Sequence, residues 1–571
     1  MKKTIIKCLL SILILLSGVA SPNTIFADDS HTHTVPGYPA FVFTEWNSST
    51  SLPTDFGSYY LTQDITLSDD AIVNETIYIC LNGHVVNLNE NHIVVNKGIR
   101  LGIFDCQETV HEGYVDATGL WHLSEVGHPT DGETSKTING GIITGGNGNN
   151  GGCIEIKSDA GSIGQVFLLG GTLAGNSATN NGGAIYNNGY FEMQGGSIVN
   201  NDAECGGAIY NNKAANVKYN SKELSDNVAV NGGAVYNDVQ GELLIKSLTI
   251  KNNIASGKGG AVYNNGYLEI ISDTFNGNEA AYGGAIYNCS NSRAEITSSS
   301  ITGCTASDNG GAIYNEVHSG DDLKTVVIGG NVSITGCEAT NNGGAIYNLG
   351  SFGLENVSIT NNKVTSSSGK GGGIYQGGSL FVGDTLKVIS NKVDNTINNV
   401  FLCDGKFVTV GSGYDVKVPA EGMQVGITMA NPGVFTSNIA SDYANYFLSD
   451  DAAYRVKHNS DNKLQLVSST IVINEDTSEN YASLAVAISE VGNGQTLKLL
   501  DDNSETIEVS KEIEFIINKN SFNNNATITA GSGYKLSKSG EDEITYKFTK
   551  KIDPVSPDRS YKIPNTGIDK A

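Results

Sequence analysis

Paired aspartates, clustered histidines and scattered cysteines are the residues of this chain whose types suit catalysis or metal binding. Beyond residue 54, adjacent aspartates occur at Asp69-Asp70, Asp321-Asp322, Asp450-Asp451 and Asp501-Asp502. Carboxylates grouped on one face can do acid–base work or hold Ca²⁺ when a basic group stands nearby. No pair lies in an Asn-x-Asp or Gly-His-Gly setting, and arginine occurs only at Arg100, Arg293, Arg455 and Arg559. Each pair therefore reads as solvated turn residues, and no catalytic residue is assigned. Seven histidines, His31, His33, His84, His92, His111, His122 and His128, crowd the first quarter. His31-x-His33 has a spacing that can hold a metal from one strand. Beside a leader it reads instead as a solvated pair, so neither a metal site nor a cofactor is expected. No Asp-x-Asp-x-Asp-Gly calcium loop is present.

The elements around these residues are repeats. Gly-Gly-Ala-Ile-Tyr-Asn starts at Gly182, Gly206, Gly283, Gly310 and Gly343, and Val replaces Ile in the copies at Gly232 and Gly259. Gly371 opens a looser copy, and Gly151-Gly152-Cys153-Ile154 a decayed earlier one. An alternating apolar piece follows each motif, as in Phe191/Met193 and Leu268/Ile270. A second piece ends in an aliphatic or aromatic residue with Asn or Cys three positions later, as in Ile198/Asn201 and Ile301/Cys304. Three short period-2 pieces per unit predict three short strands, with Gly and Asn at the corners. A helical repeat fails, because each Gly of the pair costs ~1 kcal/mol in a helix. One unit cannot bury its own apolar residues, so units must stack into a solenoid with ladders of equivalent side chains.

Stacking places Ile inward and Tyr outward or at a corner. The tyrosine ladder comprises Tyr186, Tyr210, Tyr236, Tyr263, Tyr287, Tyr314, Tyr347 and Tyr375. It could contact a sugar or protein ligand, or serve only as packing between coils. Asn201, Asn227, Asn253, Asn278 and Asn362 form a turn ladder whose buried amides pair from coil to coil. Cys304 and Cys337 take the Asn position in consecutive units. They are close enough for a disulfide, though small buried replacements of Asn are the preferred reading.

Lys2, Lys3 and Lys7 precede the short apolar run Cys8–Ala20, and Ala27 precedes Asp28. This reads as a cleaved secretory signal, with no membrane span in the mature chain. Without its three lysines, 32 basic residues face 60 acidic ones. Such a surface repels nucleic acid and anionic membranes. The eight remaining cysteines contain no CxxC pair and are too few for a disulfide scaffold.

The Gly-Gly-Ala-Ile and aliphatic-x-x-Asn pieces resemble the repeats of bacterial polymorphic outer-membrane proteins. The whole chain resembles the right-handed β-helix surface proteins of Gram-positive anaerobes. The likeness rests on His31-Thr32-His33, Trp46, Leu52-Pro53, Tyr59-Tyr60-Leu61, Cys80-Leu81-Asn82-Gly83-His84 and the stretch from Pro432 to Asp451. It covers residues 30–470 and implies the handedness, a surface location and an adhesin-like or scaffolding role. Ile563-Pro564-Asn565-Thr566-Gly567 resembles the Leu-Pro-x-Thr-Gly signal that sortases cleave before joining Thr to peptidoglycan. Thr566 would be the attachment residue, with sortase and peptidoglycan as partners. In that family a hydrophobic segment and a basic tail come next, where this sequence has Ile568-Asp569-Lys570-Ala571.

The fold expected is all-β, a right-handed parallel β-helix of the pectin-lyase-like kind with three short strands per coil, plus a small C-terminal α+β module. The divisions are a signal peptide (1–27), a leader (28–54), β-helix repeats (55–410), a cap (411–468), the α+β module (469–550) and a linker with the sorting motif (551–571). In the module Leu484, Ile488 and Val491 share a helix face that Gly492 can terminate, and Thr496–Leu500 and Ile513–Ile517 read as strands. The function expected is a non-catalytic, secreted, wall-attached surface protein that meets a host or bacterial glycan or protein. The alternative is a secreted β-helix polysaccharide lyase or glycoside hydrolase, since that fold hosts such enzymes.

Overall fold

A computed structural model describes residues 31–35, 40–217, 222–290, 292–317, 326–411, 416–438 and 440–551. The signal region, Asp321-Asp322 and the 563–567 motif lie outside them. Two compact units divide the chain: one reaches Asp451 and adds Val456–Leu466, and the other holds Ala452–Arg455 and the chain from Val467.

The first unit is a parallel β-solenoid of about 14 turns. One coil shows the plan. Ile185–Asn187, Tyr190–Met193, Ser197–Val199 and Asp202–Cys205 follow one another, and Ile209–Asn211 begins the next coil. Each piece pairs in parallel with its equivalent one coil on: Tyr186 with Tyr210, Phe191 with Ala215, Ile198 with Leu224 and Ala203 with Ala229. Repetition yields a 14-stranded sheet, an 11-stranded sheet and two further ladders. Those two ladders join at Gln424–Met429, which pairs with both Lys387–Ile389 and Val400–Leu402.

The three expected strands are present, and a fourth short one lies before each Gly-Gly pair. It buries a single small residue per coil, such as Ala203, Ala229, Ala255 or Ala280. One apolar residue per run makes no alternation, so the sequence pattern hides it. The Ile of each motif points inward: Ile185, Ile209, Val235, Val262, Ile286, Ile313, Ile346 and Ile374 are all fully buried.

The glycine pair has two separate causes. Its first member adopts φ of +64° to +73° from Gly182 to Gly371, a region that costs other residues energy. Its second lies under the next coil, where a Cβ on Gly207 would sit 2.4 Å from the Gly233 carbonyl oxygen.

At the N-terminal end Thr32–His33 pairs antiparallel with Phe41–Val42, and Thr44–Trp46 opens the 14-stranded sheet. A three-stranded antiparallel flap, Gly113–Val115, Trp121–Leu123 and Thr134–Ser135, interrupts the early coils and buries Trp121. At the far end Gln424–Met429 and Phe447–Ser449 prolong the parallel ladder.

In the second unit the helix Leu484–Glu490 buries Leu484, Ala487 and Ile488. Ser483 caps it by accepting from the Ala485 and Val486 amides. It packs in one core with Leu497, Phe515, Ile517, Tyr546 and Phe548 of the sheet. Its C-cap is Val491 in an extended conformation, so Gly492 does not supply a left-handed cap.

Candidate functional site: the tyrosine stripe

The motif tyrosines form one continuous stack. From Tyr186 to Tyr375 successive ring centroids lie 4.4–5.5 Å apart with interplanar angles of 2–25°. Phe401 extends the stack at 6.0 Å. In-register pairing sets this spacing, because each Tyr is flanked by two buried residues that fix its rotation. The rings are half-buried, except Tyr287, which is buried. Neighbouring rings cover each other's faces, so the stripe presents ring edges and hydroxyls rather than open stacking faces. Seven steps of ~4.8 Å make it roughly 34 Å long.

Acidic groups stand at fixed places along it. Tyr210 Oη donates to Asp238 Oδ2 at 2.7 Å, and Tyr287 donates to Glu316. Both carboxylates lie two residues beyond the tyrosine of the following coil. Lys258 sits 4.4 Å over the Tyr287 ring and 3.5 Å from Glu316. Burial pushes the Tyr236 and Tyr314 phenols up to about 12. Tyr210 and Tyr287 rise further, through burial first and then through Asp238 and Glu316. At neutral pH the stripe is therefore a row of neutral phenols.

Inside the coil two amide ladders hold the stripe in register. Asn176, Asn201, Asn227, Asn253 and Asn278 are fully buried, and each Nδ2 up to Asn253 donates to the next Oδ1 at 3.0 Å. Asn278 Nδ2 then meets the Cys304 sulfur at 3.8 Å, and the Cys337 amide donates to Asn362 Oδ1 at 2.9 Å. Both thiols are free and fully buried. The ladder continues through Asn391 and Asn399 and ends on Asp450, which accepts from the Asn399 amide and side chain at 2.6 Å. Asp450 is thus a ladder cap and not a solvated turn residue, as the sequence reading had it.

The second ladder runs Asn187, Asn211, Asn237, Asn264, Asn288, Asn315, Asn348 and Gln376 at 2.8–3.0 Å. It was absent from the expected site residues, although the Asn of each Gly-Gly-Ala-Ile-Tyr-Asn motif marks it.

The other candidate residues are mostly held apart. Asp70 meets His92 at 3.0 Å, and Asp501 pairs with Arg455. His84 meets Asp64, His122 meets Asp116 and His128 meets Glu133 at 2.8–3.1 Å, while His111 meets the Gly83 carbonyl. His33 departs from expectation: it is fully buried, not solvated. With His31 it lies beside Cys80 and Cys106. The sequence spacing of Cys80 and Cys106, one coil apart, could have signalled this.

Residues 247–265 match the Chlamydia polymorphic membrane protein (Chlamydia_PMP) repeat. They hold Ile250, Asn253 and the Gly259–Asn264 motif, hence one rung of the aliphatic face, the amide ladders and the stripe. No curated protein and no solved structure matches the chain. The repeat match and the β-solenoid together fit a repeat surface protein of that kind. Among the described residues no helix is long and apolar enough to cross a membrane.

Proposed function

We propose that the chain is a non-catalytic, secreted surface protein whose solenoid is a rigid adhesin-like scaffold. The observation that carries this reading is the unbroken tyrosine stripe over eight coils. Phenol edges give apolar contact with few rotatable bonds, and their hydroxyls hydrogen-bond without charge. That combination suits the hydroxyls of a host or bacterial glycan, or a protein surface. Attachment to peptidoglycan through Thr566 would display the scaffold on the wall.

An array of glycans and matrix proteins probed with the intact chain tests the reading. Saturable binding to one class supports it. No binding leaves a purely structural role, and release of oligosaccharides by the purified protein replaces it with the lyase or hydrolase alternative.

A further inference from the structure

At the N-terminal end, four donors from three strand segments converge. His31 and His33 belong to the leader strand region, Cys80 ends the strand Ile77–Cys80, and Cys106 follows its neighbour Arg100–Phe104. One ligand atom from each lies within 4.8 Å of the other three. Cys80 Sγ is 3.5 Å from Cys106 Sγ, which is 3.9 Å from His31 Nε2. A tetrahedral zinc, bonded at ~2.3 Å to sulfur and ~2.0 Å to nitrogen, needs donors about 3.3–3.8 Å apart. Small side-chain shifts would complete that tetrahedron.

His33 supplies the independent observation. It is fully buried, and neither Nδ1 nor Nε2 has a hydrogen-bond partner. Folded proteins rarely leave a buried imidazole unpaired at both nitrogens. Its ring packs 4.7 Å from Phe43 and 5.2 Å from Phe104, and His31 stacks on Tyr60 at 3.8 Å. Val35, Phe41, Tyr78 and Leu169 complete an apolar sheath. The nearby Asp105 carboxylate is engaged by the Gly83 and Gly141 amides at 2.8 and 2.7 Å, which leaves the cluster to sulfur and nitrogen.

We propose that His31, His33, Cys80 and Cys106 form a structural Cys₂His₂ zinc site. Two thiolates balance the charge of the ion, so the complex is neutral inside its apolar sheath. The ion would fasten the leader to two adjacent coils and so close the solenoid's first edge, where unpaired strands invite association. The competing chemistry is a Cys80–Cys106 disulfide, which an oxidising compartment permits and which would leave His33 unpaired.

The test uses the full chain as secreted, purified without chelator or reductant. Elemental analysis and native mass spectrometry should find one zinc per chain. Cys106→Ser and His31→Gln should lose it, while Cys304→Ser keeps it. Because Cys106→Ser could disturb folding, the wild-type chain is also loaded with cobalt(II). A thiolate-to-cobalt charge-transfer band with tetrahedral d–d bands is expected. Peptide mapping that finds a Cys80–Cys106 disulfide in a zinc-free chain would overturn the proposal. So would zinc that survives Cys106→Ser, or cobalt that shows no thiolate band.

Discussion

From Asn187 to Asn348 the buried side-chain amides of both ladders find partners one coil further on, whereas at the ends groups are left over: Gln376 Nε2, last in the second ladder, and both ring nitrogens of the buried His33 at the N-terminal end find none. The middle is translationally regular, so a polar side chain that is satisfied once is satisfied at every step. An end has no next coil. The far end of the turn ladder meets that problem with Asp450, whose carboxylate takes the last amide. The first end has aromatic packing and four metal-competent donors. Regular coils thus owe their order to stacking, and ends need separate chemistry.

The strongest challenge to this contrast is to break a ladder in the middle. Asn253 accepts from the Asn227 amide and Nδ2, and donates to the Leu224 and Lys251 carbonyls and to Asn278. Asn253→Leu leaves several of those buried groups unpaired, at ~1–3 kcal/mol each. A loss of about 5 kcal/mol in urea unfolding is expected; a loss under about 1 kcal/mol would mean that the ladder is ornamental.

Burial pushes the Asp273 carboxyl up to about 7, against two amide hydrogen bonds that lower it. Between an unfolded value of ~3.9 and that folded value, the folded chain keeps a proton that the unfolded chain has released. Its stabilising contribution is therefore full below about pH 4 and is lost as pH rises to about 7, by roughly 3–4 kcal/mol. Thermal unfolding of the wild type should occur at a higher temperature at pH 5 than at pH 7.5, and Asp273→Asn should flatten that difference.

Gly207→Ala puts a Cβ against the Gly233 carbonyl and should cost about 2 kcal/mol in the same urea assay. The triple change Tyr186→Phe, Tyr314→Phe and Tyr347→Phe should cost least, under about 1 kcal/mol in total. Among the described residues these hydroxyls hold no carboxylate, and Phe401 shows that the stack accepts a phenylalanine.

Legibility follows the same division. Gly-Gly-Ala-Ile-Tyr-Asn announced the inward Ile, the stacked Tyr and the corner glycines because repetition exposes every role several times over. The alanine strand escaped notice because one small residue makes no pattern. Asp450 and the His33 cluster occur once each, and their roles depend on which coil ends where. His31-x-His33 was visible, but its two sulfur partners lie in later coils, brought near only by stacking.

The claim that the stripe is the recognition surface is tested most directly by affinity. The intact wild type and the triple Tyr→Phe variant would be compared on arrayed glycans and matrix proteins, with melting temperature as the control. The account predicts at least a tenfold weaker Kd, about 1.4 kcal/mol, at an unchanged melting temperature. Equal binding by both proteins would contradict it and assign the tyrosines to packing alone.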